Sequence, residues 1–120
     1  MKELCKILRT FRVLAIVTVF VLPVIAGAQS EIPLTTKSAE ARKFFLEARH
    51  QFENIRFDEA RDLCAKAIAK DPNFALAHLF RSFTGTSAMD FQKHLKNAVA
   101  LAPKASAGER LMIEAVQAST

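Results

Sequence analysis

The chain has 120 residues, 51% of them apolar, and carries 17 lysines and arginines against 12 acids for a net charge of +5. That length sets one domain as the expectation. Four of the bases and one acid precede Ala28, so the remainder keeps only a net +2, with no basic stripe of interleaved aromatics, which excludes a nucleic-acid binder.

The first segment is basic, with Lys2, Lys6, Arg9 and Arg12 against Glu3. An apolar run, VLAIVTVFVLPVIA, follows from Val13 to Ala26. Ala26-Gly27-Ala28 closes it before Gln29 and Ser30 turn polar. A basic head, an apolar middle and a small-x-small site describe a secretory signal peptide over residues 1–28, cut after Ala28. The alternative is an uncleaved anchor, but the run is short for a span of about 20 residues and Pro23 interrupts it. Cys5 precedes the apolar run, where no lipid-attachment cysteine sits. Its departure with the signal leaves Cys64 alone and excludes a disulfide within the mature chain. The localisation implied is export, to a bacterial periplasm or the medium.

Residues 29–37 read as an extended linker, since Pro33 pushes Ile32 out of helical geometry. From Ser38 onward the chain reads as helix. A first helix runs from Ser38 to Glu53, with Phe44, Ala48 and Phe52 at helical spacing. A second runs from Asp58 to Lys70 and turns Ala60, Leu63, Cys64, Ala67 and Ile68 to one side. Asp71 is expected to cap a third helix that starts at Pro72 and ends at Phe83. After Thr84-Gly85-Thr86 a fourth covers Met89 to Leu101 and stops before Pro103. The fifth begins at Ser106, where Ser106 and Glu109 have the spacing of a capping box. The fold class expected is all-α, built of short antiparallel helical hairpins over residues 38–120.

Small residues on the inward face of the second helix imply close approach. Ala60 and Ala67 lie two turns apart, and Ala48 is their expected partner on the first helix. The motif also recurs. CAKAIAKDP aligns with LKNAVALAP, which places Cys64 on Leu95, Ala67 on Ala98 and Ile68 on Val99.

Residues 41–74 resemble a tetratricopeptide repeat. Phe44, Ala48, Phe57, Ala60, Ala67 and Pro72 stand at that repeat's positions four, eight, seventeen, twenty, twenty-seven and thirty-two. Glu47 and Gln51 depart from its usual leucine and tyrosine. Residues 75–105 resemble a second, degenerate repeat, with His78, Ser82, Ala98 and Pro103 in register and Phe91 where a small residue is usual. Residues 106–120 are a capping or truncated helix. The resemblance implies a short α-solenoid with a concave binding face. First-helix positions two, five, nine and twelve line that face, which here are Arg42, Phe45, Arg49 and Phe52, then Leu76, Leu79, Phe83 and Thr86. Leu76, Leu79 and Phe83 read more readily as packing residues, against the fifth helix or further repeats.

Chemistry is thin by comparison. His50, His78 and His94 form no metal-ligand pair at i, i+4; His78 is expected in the core and the other two in solvent. Cys64 is expected buried and inert. No phosphate loop or nucleophile elbow occurs, so the sequence implies no enzyme, no cofactor and no metal. The function expected is that of an exported scaffold that binds a protein or peptide partner, with Arg42, Phe45, Arg49, Phe52 and Phe83 as candidate contacts. The membrane enters only through the signal segment. Because a stable stack takes about three repeats, self-association is a further expectation. The rival readings are an N-terminal helical part of a longer exported protein with an enzymatic or other domain downstream, and a membrane-anchored assembly factor with an uncleaved first helix.

Overall fold

The computed structural model describes Glu3 and residues 31–120. The expected signal segment and the first two linker residues, Gln29 and Ser30, lie otherwise outside the described residues. Glu31–Thr120 forms one compact unit. It is all-helical, with no strand among the described residues, and none of its helices is long and apolar enough to cross a membrane. The helices are α1 (Ala39–Glu53), α2 (Phe57–Lys70), α3 (Ala75–Phe83), α4 (Ala88–Leu101) and α5 (Ala107–Ala118), with a 3-10 turn at Ala102–Lys104.

Local chemistry sets most of the boundaries. Ser38 caps α1 by accepting the Ala41 N–H at 3.1 Å, and Ser87 caps α4 through the Asp90 N–H at 3.1 Å. At α5 the capping box is complete: Ser106 Oγ accepts the Glu109 N–H, and the Glu109 carboxylate accepts the Ser106 N–H at 2.9 Å. Each such cap satisfies donors that the first helical turn leaves open, at about 1 kcal/mol apiece.

The start of α3 differs from expectation. Asp71 does not cap it; it closes α2, donating its N–H to the Ala67 carbonyl at 2.9 Å. Its Oδ1 accepts the Asn73 N–H at 3.0 Å, and its carbonyl accepts the Phe74 N–H at 3.2 Å. Pro72 and Asn73 therefore form a turn, and the helix starts at Ala75 with Phe74 as its N-cap. This delay carries the Phe74 ring into the core, where it is fully buried.

Two hairpins result. α1 packs along α2, and α3 along α4, with α2 against α3 and α5 against α3 and α4. Cross-links fix the antiparallel sense. Glu40, early in α1, meets Lys70 at the end of α2 at 2.6 Å, and Arg81, late in α3, meets Asp90 early in α4 at 2.8 Å. Ala48, Ala60 and Ala67 are all buried in the first hairpin, and Ser82 and Ala98 in the second. Short side chains at these sites let the helix backbones approach closely.

Phe45 and Phe74 anchor the core. Their ring centroids stand 5.0 Å apart, and Phe80 of α3 meets Phe45 edge-on at 5.1 Å. Leu76, Leu79, Leu95 and Ile113 complete the layer.

Residues 31–37 are no free linker. Thr35 donates its N–H to Glu109 Oε1 at 3.0 Å, and its hydroxyl accepts the Ser106 N–H at 2.8 Å. Ser106 Oγ in turn donates to the Pro33 carbonyl at 2.7 Å, and Thr36 Oγ1 donates to Asp71 Oδ2 at 2.6 Å. Leu34 packs on the core. The segment is a strap that ties the start of α5 to the α2–α3 turn. Gly108 permits it, because a Cβ there would stand 2.8 Å from Ile32 Cγ2.

Candidate functional site

The connection from α1 to α2 takes three residues. Ile55 donates its N–H to the Phe52 carbonyl at 3.0 Å, and Arg56 to the Gln51 carbonyl at 2.9 Å. This pair of bonds is the Schellman closure, which places the residue after the cap in the left-handed region and favours glycine there. The position is filled by Ile55, at φ 61°. A β-branched residue in that conformation is strained. Its side chain gains no burial in return, being 75% exposed.

Beside it lies an aromatic rim. Phe52 touches Phe57 at 5.3 Å, Phe80 at 5.4 Å and Phe83 at 6.1 Å between ring centroids. Phe80 faces inward, but Phe57 is 45% and Phe83 38% exposed. Three elements thus converge on one apolar edge: the end of α1, the start of α2 and the end of α3.

The candidate contacts separate cleanly. Phe52 and Phe83 belong to this rim. Arg42 is exposed and has no ion-pair partner within 4 Å among the described residues, Arg49 being the residue of the pair that is engaged. Arg49 reaches Glu31 and Glu53, both at 3.7 Å. Phe45 does not belong on the surface: it is fully buried, because α3 lies over α1 and the Phe74 and Phe80 rings cover it. Leu76 and Leu79 are buried as well. Ile55 carried no signal in the sequence reading, since an isoleucine two residues past a helix suggests nothing; only its backbone angle marks it.

The polar interior contains one further cluster. His78 is buried, as expected, and its Nε2–H donates to the Pro72 carbonyl at 2.9 Å. His94 is not in solvent: it stacks on His78 with ring centroids 5.8 Å apart, because the α3–α4 hairpin sets the two positions opposite one another. Burial, reinforced by the Arg81 guanidinium, lowers the His94 pKa. The hydrogen bond from Arg81 holds the Asp90 carboxyl below its ordinary value. Cys64 is a free, buried thiol whose pKa is pushed up to about 12 by burial, against the opposing charge of Arg81. Such a thiol is protonated at neutral pH and is a poor nucleophile. Among the described residues no group of three or more His, Cys, Asp or Glu side chains is placed to hold a metal.

A groove of about 940 Å³ lies elsewhere, along α4 and the end of α5, lined by Met89, Lys93, Lys96, Val99 and Gln117 among others. It gathers no aromatic ring, and the charged residue Asp90 at its edge is already paired with Arg81 at 2.8 Å.

No family model, curated protein or solved structure matches this chain. The functional reading therefore rests on the rim and on the hairpins that present it.

Proposed function

We propose that the protein is an exported adaptor of the tetratricopeptide-repeat type, which holds a protein or peptide partner against the rim formed by Phe52, Ile55, Phe57 and Phe83. The repeat-like stack is supported by two consecutive antiparallel hairpins with small buried residues at corresponding places, Ala48 and Ala67 in one, Ser82 and Ala98 in the other. Export is supported by the basic, apolar and small-residue pattern of residues 1–28.

The observation that carries the binding reading is that the exposed rings of Phe57 and Phe83 both meet Phe52, close in the chain to an exposed, strained Ile55. The left-handed turn closes α1 by satisfying the Phe52 and Gln51 carbonyls, but it leaves the Ile55 side chain exposed, and such backbone outliers gather at ligand-clamping sites. Aromatic residues also dominate binding energies out of proportion to their number. Arg42 and Arg49 run along α1 on the approach to Phe52. They suit a partner with an acidic residue near an apolar anchor.

The test compares partners captured from the native exported fraction by the wild type and by Phe57→Ser/Phe83→Ser, after circular dichroism shows equal helical content. The reading predicts loss of the captured partner with the variant. Equal retention at physiological salt places the contact elsewhere and overturns it.

A further inference from the structure

We propose that the stacked pair His78–His94 is an acid-sensitive joint, holding the α3–α4 hairpin closed while the His94 imidazole is neutral and loosening it when that ring gains a proton. The geometry determines where the proton must go. His94 Nε2 faces Asp90 Oδ1 at 3.5 Å, and a carboxylate oxygen only accepts, so the neighbouring negative charge favours the tautomer with its hydrogen on Nε2. The incoming proton is left with Nδ1. That atom is buried and has no hydrogen-bond partner, and the Nδ1 of His78 is in the same condition. Protonation therefore creates a buried donor that meets no acceptor, on a ring stacked 5.8 Å from a second imidazole.

The surrounding charges favour the neutral ring. From α3, His78 and the Arg81 guanidinium act on His94, and both oppose a positive charge there; Lys93 of its own helix does the same. Asp90 alone favours it, but the closest contact of that carboxylate is Arg81, at 2.8 Å. Glu109, Arg110 and Glu114 of α5 and Lys104 of the 3-10 turn are not among the groups that act on it.

The sign follows from linkage. A histidine whose folded value is lowered binds its proton more readily in the unfolded chain. Stability is then complete above the ordinary value of 6.5 and falls as the pH drops from there towards the lower folded value. The carboxylates Asp90 and Glu40, held below their ordinary values by Arg81 and Lys70, act in a separate and more acidic window.

Urea denaturation of the wild type at pH 7.5 and 5.5 is predicted to give a lower midpoint at the acidic pH, and His94→Gln a smaller difference between the two. Because that variant disturbs a buried layer, proton NMR of the native wild type supplies an independent reading: the His94 ring should titrate below the ordinary 6.5. Arg81→Gln should raise that titration point by removing the opposing cation. Equal wild-type midpoints at the two pH values, or a His94 ring titrating at or above the ordinary value, would overturn the proposal.

Discussion

Glu109 lets the role of the strap be measured through one side chain. It is fully buried, and its two carboxylate oxygens accept one N–H each, from Thr35 at 3.0 Å and from Ser106 at 2.9 Å. Glu109→Ala leaves the Thr35 donor without its acceptor, while the Ser106 donor keeps only its bond to Thr35 Oγ1. A stranded backbone donor costs about 1–3 kcal/mol, and loss of half the capping box adds about 1 kcal/mol. The emptied volume adds a cavity term, so the total is about 3–5 kcal/mol. For a domain of this size 1 kcal/mol corresponds to about 4–8 °C in Tm, which predicts a fall of more than about 10 °C. Glu109→Gln keeps one acceptor oxygen and should lose about 1–3 kcal/mol. Equilibrium urea denaturation of the three proteins should rank them wild type, Gln, Ala. A Glu109→Ala variant within about 0.5 kcal/mol of the parent, the range of an ordinary surface substitution, would show that the strap does not tie down the start of α5.

Other substitutions probe the hairpins. Ile55→Gly should stabilise the protein: relief of left-handed strain returns about 1–2 kcal/mol, offset by about 0.5–1 kcal/mol of added unfolded-state freedom, and a lower thermal midpoint would contradict the strain. Ala67→Leu should destabilise by about 1–3 kcal/mol, because Ala67 is fully buried in the core cluster with Ala41, Phe45 and Phe74; an unchanged melting temperature would show that the helices do not approach closely there. Cys64 should resist a thiol reagent under native conditions and react at the rate of unfolding, given its burial and raised pKa. Rapid native-state labelling would refute that.

Local signals were legible in the sequence and long-range ones were not. The Ser106–Glu109 capping box needs only a spacing of three, and it forms as read. The burial of Ala48, Ala60 and Ala67 followed from side-chain size and periodicity. The strap leaves no local signal, because its partners lie more than 70 residues away, at Ser106 and Glu109; nothing local distinguishes Thr35 from a linker threonine. Phe45 shares a helical stripe with Arg42 and Arg49, so periodicity placed it beside them. Only the packing of α3 over α1 shows that its ring is enclosed. His94 looks solvent-facing in the sequence for the same reason, since the stack requires α3 and α4 to be docked before His78 and His94 meet. At Asp71 two local rules competed, and the turn through Asn73 and Phe74 prevailed over a cap at Pro72 because it buries the Phe74 ring.

The central claim is that the rim of Phe52, Ile55, Phe57 and Phe83 holds a partner, and site-specific photocrosslinking tests it directly. Benzoylphenylalanine replaces Phe57 or Phe83 in turn, and Ala69, exposed near the other end of α2, serves as the control. After illumination of the native exported fraction, the account predicts a covalent adduct of the same partner from both rim positions and none from Ala69. Adducts that are absent from the rim, or that form as readily from Ala69, would contradict it.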